Sequence, residues 1–418
     1  MKPTVVIGGG IVGLFTAYFL QQQGEEVIVV DKGDMKENCS TGNAGMIVPS
    51  HIVPLASPGM IAKGISWMFS SKSPFYIQPR LDKRLIDWCL QFYRHSNAKH
   101  VAQSIPYLKG ISLYSKQLYM DFVATHGNEA IKLQDRGLLM LYKTREGEKE
   151  EAELAHLARE SGLNAEILSK DDIRKLEPNQ EVDVRGGVYF PDDAHLSPKD
   201  LYRILKNHLK EHGVQLKSNV GITGVEKAGS KITAVITSQG KIDCSHVMVC
   251  AGSWSGEIAK MLGFRLPMMG GKGYSFELTN TPELKQASIL TEARVSQSPY
   301  GDKVRFGGTM EISNRIDMIN MRRVQGIFES IKAYYPEFQA DFPSQDKIWK
   351  GMRPCSPDGL PYIGKAPGWE NVAFGAGHSM MGVSLAPATG KLLADLKTGK
   401  IGTLKTDAFA VGRYAGKL

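Results

Sequence analysis

The chain has 418 residues, 42% hydrophobic and 22% charged, a balance that fits a globular protein of two or more domains and excludes a fibrous or disordered one. Its 51 Lys and Arg against 43 Asp and Glu leave a formal charge of +8, which favours anionic partners such as phosphates, carboxylates and acidic lipid head groups. No block of five like charges and no basic run interleaved with aromatics occurs, so nucleic acid is not an expected partner.

Val5 to Ile7 read as a short buried strand, GGGIVG at 8–13 as a tight turn, and LFTAYFLQQQG as a helix with apolar Leu14, Ala17, Tyr18 and Leu20. In such a unit Gly8 permits the turn, Gly10 lets the backbone approach a pyrophosphate, and Gly13 lets helix and strand pack closely. Ile11 and Val12 complete the cofactor-binding turn, where the phosphates meet the positive end of the helix. A second strand, EVIVVD, ends in Asp31 about 20 residues beyond the glycines, where a carboxylate accepts hydrogen bonds from ribose hydroxyls and repels a 2′-phosphate. Lys32 beside it is a further cofactor contact. The expected ligand is an adenine dinucleotide, and flavin and nicotinamide both stay open at this point.

A nicotinamide dehydrogenase would continue at once with further strand–helix repeats. Here STGNAGMIVPS at 40–50 is a loop of small residues, and the next 130 or so residues read as irregular and helical insertions, among them LIDWCLQFYRH and KGISLYSKQLYMDFVATHG. The stretch 55–71, LASPGMIAKGISWMFSS, is broken by Pro58, Gly59, Lys63 and Gly64 and falls short of the roughly 20 apolar residues that cross a bilayer. Parallel-sheet character is expected to return near 187 with GGVYF, the helix DLYRILKNHLKEHG and the strand VQLKSN. KITAVIT and HVMVCAGSW follow, and Ala251, Gly252 and Trp254 at the end of the latter suit a sheet that meets the dinucleotide a second time.

Near the C-terminus comes GMRPCSPDGLPYIG, then GHSMMGVSLAPATGKLLADLKTG. Arg353 of GMRP is the expected carboxylate clamp, because a guanidinium fork binds a carboxylate through two parallel hydrogen bonds. Gly377 and Gly382 precede a helix whose first turn tolerates Pro387, with Leu392, Leu393 and Leu396 facing inward. Backbone N–H groups of Met380, Met381, Gly382, Val383 and Ser384 would then form a positive helix end. Cys39, Cys89, Cys244, Cys250 and Cys355 are odd in number and contain no CxxC pair, so neither a disulfide framework nor a metal site is expected. A reducing, cytoplasmic compartment fits, and the strand beginning within five residues of Met1 leaves no room for a secretory leader.

Taken together, these motifs resemble the D-amino-acid oxidase superfamily of FAD-dependent oxidoreductases along nearly the whole chain. Residues 57–92 and KGYS at 272–275 are similar to bacterial D-amino-acid dehydrogenases, and the two C-terminal runs to glycine oxidase. The resemblance implies an α/β fold with α+β elements: a Rossmann-like FAD-binding domain (1–50, 191–262 and 345–418) interleaved with a substrate domain (51–190 and 263–344) built on a mixed or antiparallel sheet with helices. It implies non-covalent FAD contacts at Ser40, Thr41, Asn43, Ala44 and Gly45, with Val220 beside the adenine. Tyr274 would add its hydroxyl to the clamp on the substrate carboxylate, and His378 would contact the flavin region. A covalent flavin link through Cys355 is not expected, since a small buried thiol is the commoner case.

The implied reaction is hydride transfer from a D-amino acid, or a cyclic imino acid such as D-proline or 4-hydroxy-D-proline, to flavin, with electrons passing to a quinone or another acceptor. Aromatic and methionine residues in WMFSSKSPFY, 67–76, would provide peripheral contact with the inner face of the cell membrane. Two alternatives remain: a glycine or sarcosine oxidase that makes peroxide, and a non-catalytic FAD subunit of an amine dehydrogenase complex.

Overall fold

The computed structural model describes residues 2–279, 284–400 and 404–414. Four short runs of β-branched and apolar residues, Thr4–Ile7, Val27–Val30, His246–Val249 and Val372–Ala376, form the centre of a six-stranded sheet. Val5 pairs in parallel with Ile28 on one side and Val247 on the other, and Gln215–Lys217 extends the sheet beyond Val27–Val30. Tyr362–Lys365 closes the opposite edge antiparallel to Val372–Ala376. Alternation decides which face each side chain enters. Val5 and Ile7 pack toward a three-stranded antiparallel sheet (Ile222–Ala228, Lys231–Thr237, Gly240–Asp243), whereas Val6 packs with Leu14, Phe15 and Leu393 of the helical face.

On that helical face lie Ile11–Gln22, Pro198–Glu211 and the C-terminal helix Gly382–Thr398. The first and last of these meet at Gly390, where a Cβ would stand 2.6 Å from the carbonyl carbon of Phe15 and 2.7 Å from the nitrogen of Thr16. Pro387 lies six residues into the C-terminal helix, in its second turn rather than its first. Lacking an N–H, it frees the carbonyl of Val383. Tyr119 of the long helix Ala98–His126 donates its hydroxyl to that carbonyl at 2.6 Å, and Ser115 donates to the carbonyl of Ser384 at 2.6 Å.

A second, nine-stranded sheet is mixed. Its path runs Trp349–Cys355, Met269–Thr279, Lys303–Ile312, Val295–Tyr300, Ala287–Leu290, Leu138–Tyr142, Gly186–Phe190 and Glu166–Ser169, with Phe75–Ile77 beside Lys303–Ile312. The helix Met321–Tyr334 covers one face, packing Ile327 and Phe328 on Phe276 and Phe306.

Three sequence expectations change here. GGVYF is not part of a parallel sheet: Gly186–Phe190 runs antiparallel between Leu138–Tyr142 and Glu166–Ser169 in the second sheet. The insertion 51–190 therefore holds strands as well as helices. KITAVIT leaves the dinucleotide sheet for the three-stranded one, and Trp349–Cys355 hydrogen-bonds into the second sheet although 345–418 was assigned to the first domain.

Gly390→Ala should overpack the contact between the first and last helices, costing about 1–3 kcal/mol. A lower melting temperature is the expected result of thermal unfolding.

Candidate active site

The glycine turn takes the geometry its spacing requires. Gly8 has φ +113, and a Cβ there would lie 2.3 Å from the carbonyl oxygen of Cys250; one on Gly13 would lie 1.9 Å from the oxygen of Gly8. Gly10 differs. The nearest atom to its missing Cβ is Ser40 Oγ at 3.6 Å, so its open side faces a cavity of about 1570 Å³ that Ile11 and Val12 also border. That volume exceeds the roughly 300–1,000 Å³ of an ordinary small-ligand pocket.

Asp31 accepts from the backbone N–H groups of Gly9 at 2.6 Å and Gly33 at 2.7 Å, using one lone pair on each oxygen. A carboxylate has about four such sites, so capacity for ribose hydroxyls remains. Val220 donates its N–H to the Asp31 carbonyl at 2.8 Å and stands beside the same space. Lys32 places its ammonium 3.8 Å from the centre of the Trp254 ring, and Ala251 and Gly252 complete this end of the cavity.

The other end is the N-terminus of Gly382–Thr398. No side chain caps it, its first turn has no acidic residue, and nothing lies within 4 Å of a Cβ on Gly382. Met380, Met381 and Val383 border the cavity with it. The preceding turn is tied to the clamp strand, since Ser379 donates its N–H to the carbonyl of Pro354 at 2.8 Å. Asn43 bridges the two ends by donating its side-chain amide to the Met380 carbonyl at 3.2 Å.

Arg353 lies with Trp349, Gly351 and Cys355 on one face of its strand, opposite Gly271. The carbonyls of Thr309 and Gly308 accept from its guanidinium. Its ionisable neighbours are the thiols of Cys39 and Cys355, and among the described residues no carboxylate pairs with it. Gly273 makes room for it, because a Cβ there would lie 2.1 Å from a guanidinium nitrogen.

Several of the expected site residues also make contacts within the protein. Tyr274 has the opposite parity to Arg353, packs with the helix Met321–Tyr334 and borders the same cavity; its hydroxyl donates to Glu311 at 3.0 Å and accepts from the Asn320 N–H at 3.1 Å. His378 borders the cavity, but its Nε2 is 2.9 Å from Thr389 Oγ1 within the helix packing, and burial pushes its pKa down to about 4. Ser40 accepts the Ile11 N–H at 3.0 Å, bracing the glycine turn. Thr41 exchanges hydrogen bonds with Asn38, and Ser384 Oγ accepts the Val48 N–H at 3.0 Å. Gly45 and Gly377, at φ +76 and +77, press against Leu196 and Tyr362 and shape the backbone rather than border the cavity. The Cys355 thiol is wholly buried, lies 3.7 Å from the Met310 sulfur, and is pushed up to about 11 by burial.

The loop 39–45 is held from the second sheet by residues the sequence reading missed. Ser275 donates to the Gly42 carbonyl at 2.8 Å, Arg305 to those of Thr41 (2.8 Å) and Asn43 (2.6 Å), and Tyr300 to that of Ala44. Trp349 fills the space where Cβ atoms on Gly42 and Gly351 would stand, 2.0 and 2.1 Å away. Cys39 Sγ both donates to the carbonyl and accepts from the N–H of Met352 at 3.0 Å. The available signal was Arg305, a charge inside the otherwise apolar run VRFGG.

Two helix N-termini without a side-chain cap from their own N-cap residues, and a guanidinium with no carboxylate partner among the described residues, thus share one cavity. Residues 4–396 match the family described as FAD dependent oxidoreductase. The chain belongs to that family. It is 30% identical to D-amino acid dehydrogenase from Granulibacter bethesdensis, covering 99% of each chain, and 29% identical to D-amino acid dehydrogenase from Neisseria meningitidis serogroup C, covering 98% of this chain and 99% of that one. Glycine oxidase from Geobacillus kaustophilus superposes with a TM-score of 0.79 at 22% identity over 99% of both chains, a likeness of fold. The site fits the FAD of this family, because the open sides of Gly10 and Gly382 lie at two positive helix ends on one cavity long enough for a dinucleotide.

Proposed function

We propose that the chain oxidises a D-amino acid with FAD held non-covalently between the glycine turn and the C-terminal helix. Relatives named D-amino acid dehydrogenase, matched over 98–99% of this chain, support the reading. The observation that carries it is Arg353: a guanidinium steadied by two main-chain carbonyls and left without a carboxylate in the cavity that also takes the cofactor.

When bound, FAD supplies the acceptor for the hydride leaving the substrate Cα. This chain's residues bind and orient. Arg353 holds the α-carboxylate, the link from Ser379 to Pro354 keeps that clamp in fixed relation to the helix end, and the helix end at Met381 to Val383 stabilises negative charge gathering at the edge of the ring. Cyclic imino acids such as D-proline and 4-hydroxy-D-proline present the same carboxylate and nitrogen and fall within the proposal.

Electrons then pass to a quinone or another acceptor. The surface we propose for meeting a membrane differs in part from the stretch 67–76. Phe75 lies in a strand and Trp67 and Met68 border the cavity, whereas Phe69 is exposed. Leu81, Ile86, Leu90 and Tyr93 are exposed on or just before the helix Lys83–His95, with exposed Lys83, Arg84 and Arg94 among them. Among the described residues no helix is long and apolar enough to cross a membrane.

Arg353→Ala should retain the yellow chromophore and lose about 2–5 kcal/mol of substrate recognition, roughly 30- to 5,000-fold in kcat/KM. Anaerobic bleaching of the flavin by a panel of D-amino acids, D-proline, 4-hydroxy-D-proline, glycine and sarcosine checks the substrate class. Dye reduction in air without peroxide marks a dehydrogenase, and wild-type kinetics in Arg353→Ala would refute the clamp.

Vesicles containing acidic lipid should sediment the wild-type protein and release Leu90→Glu. Equal sedimentation of the two would remove this helix as the docking surface.

A further inference from the structure

The cavity wall carries a polar chain that none of the roles above uses. Asp193 is 0% exposed, in the turn between Gly186–Phe190 and Ala194–His195. Its carboxylate receives both described hydrogen bonds from Ser50: the backbone N–H reaches Oδ1 at 3.0 Å and the hydroxyl reaches Oδ2 at 2.5 Å. The Ser50 hydroxyl is also 3.2 Å from Nδ1 of His51, and both Ser50 and His51 border the cavity.

Position gives the chain its meaning. His51 folds back to donate its N–H to the carbonyl of Val48 at 3.1 Å, and Val48 is itself bonded to Ser384 in the first turn of the C-terminal helix. From the other side Arg294 acts on His51. Arg294 lies one residue before the strand Val295–Tyr300, whose Ser296 aligns across the sheet with Gly307, Ser275 and Trp349 on the cavity face. His51 therefore stands between the helix end assigned to the ring edge and the sheet that carries the carboxylate clamp.

We propose that His51, Ser50 and Asp193 form a relay that removes a proton from the substrate's ammonium group. This inference rests on the D-amino-acid reading above. An ammonium N–H bond breaks as Nε2–H forms on His51; the Nδ1–H bond breaks as an O–H bond forms on Ser50; and the original Ser50 proton passes to Asp193 Oδ2. Imidazole ends neutral in its other tautomer. The amine is left with the lone pair that accompanies hydride departure from Cα to the family's FAD. After product leaves, the proton returns by the same path to water, which resets the tautomer.

The surrounding charges agree with this assignment. Burial pushes the Asp193 carboxyl up to about 7, while burial and then Arg294 hold His51 down at about 4. A neutral imidazole that passes a proton without keeping it, and a carboxylate that receives it near neutral pH, are what such a relay needs. Around Asp193, Lys116 lowers and Asp192 raises its proton affinity, with the Lys116 ammonium bonded to Asp135 and the Asp192 carbonyl. Nearby His195 is bonded to the Pro299 carbonyl and also held near 4, and Glu151, on which Arg294 acts, is pushed up to about 7.

The test is kcat/KM against pH for the holoenzyme, with D-alanine or D-proline, whichever bleaches the flavin. The wild-type profile should fall as pH drops through about 7, where Asp193 becomes protonated and can no longer accept. Asp193→Asn and Ser50→Ala should each lose that acid limb and at least tenfold in kcat/KM with flavin content unchanged, and Ser50→Thr, which keeps the hydroxyl, should restore the limb. Infrared difference spectra should show a protonated carboxyl growing in as pH falls through 7 that Glu151→Gln keeps and Asp193→Asn lacks, a readout independent of turnover. An unchanged profile in Asp193→Asn, or no carboxyl titrating near neutrality, overturns the relay alone. A panel that leaves the flavin oxidised brings down the D-amino-acid reading, and the relay with it.

Discussion

The site depends on the close approach of the first and last helices. Gly390 lets the C-terminal helix rest against the backbone of Phe15 and Thr16, so two N-termini from opposite ends of the chain open on one cavity. Each brings partial positive charge and outward-pointing N–H groups, and neither is capped by a side chain of its own N-cap residue. A ligand with an anionic centre and an electron-accepting edge some distance away answers both. The irregularity at Pro387 belongs to the same design, because the carbonyls of Val383 and Ser384 are taken up by Tyr119 and Ser115 rather than by the helix.

The second sheet completes the cavity. One strand face presents Trp349, Gly351 and Arg353, and neighbouring strands send Ser275, Arg305 and Tyr300 to grip the loop 39–45 by its carbonyls. Burying Arg305 in a strand is costly unless it is paired, and Glu277 together with those carbonyls satisfies it. The loop 39–45 is thereby positioned by the sheet that carries Arg353, which couples the two sides of the cavity.

Much of this was legible in the amino-acid order. GGGIVG between VVI and a largely apolar helical stretch has one economical backbone solution, and Asp31 follows at the distance a second strand sets. The small residues before the C-terminal helix were readable as a helix end. The Glu311 contact of Tyr274 was not readable because KGYS gives no parity: only the pairing of Gly271 with Arg353 shows that the tyrosine lies on the other face of its strand. The hydrogen bond of His378 was hidden for a related reason, since its partner Thr389 lies eleven residues on, inside a helix whose inward face could not be aimed from sequence. The strands at 138–142, 166–169 and 186–190 pair across separations of up to about 150 residues, and no local pattern encodes such pairings.

A crystal structure of the protein grown with FAD tests the central claim most directly. The account predicts one FAD per chain, its pyrophosphate at the N–H groups following Gly10 and the pyrimidine edge of its ring at Met381 to Val383, with the Arg353 guanidinium facing the ring. FAD bound with either end away from these two helix termini would contradict it.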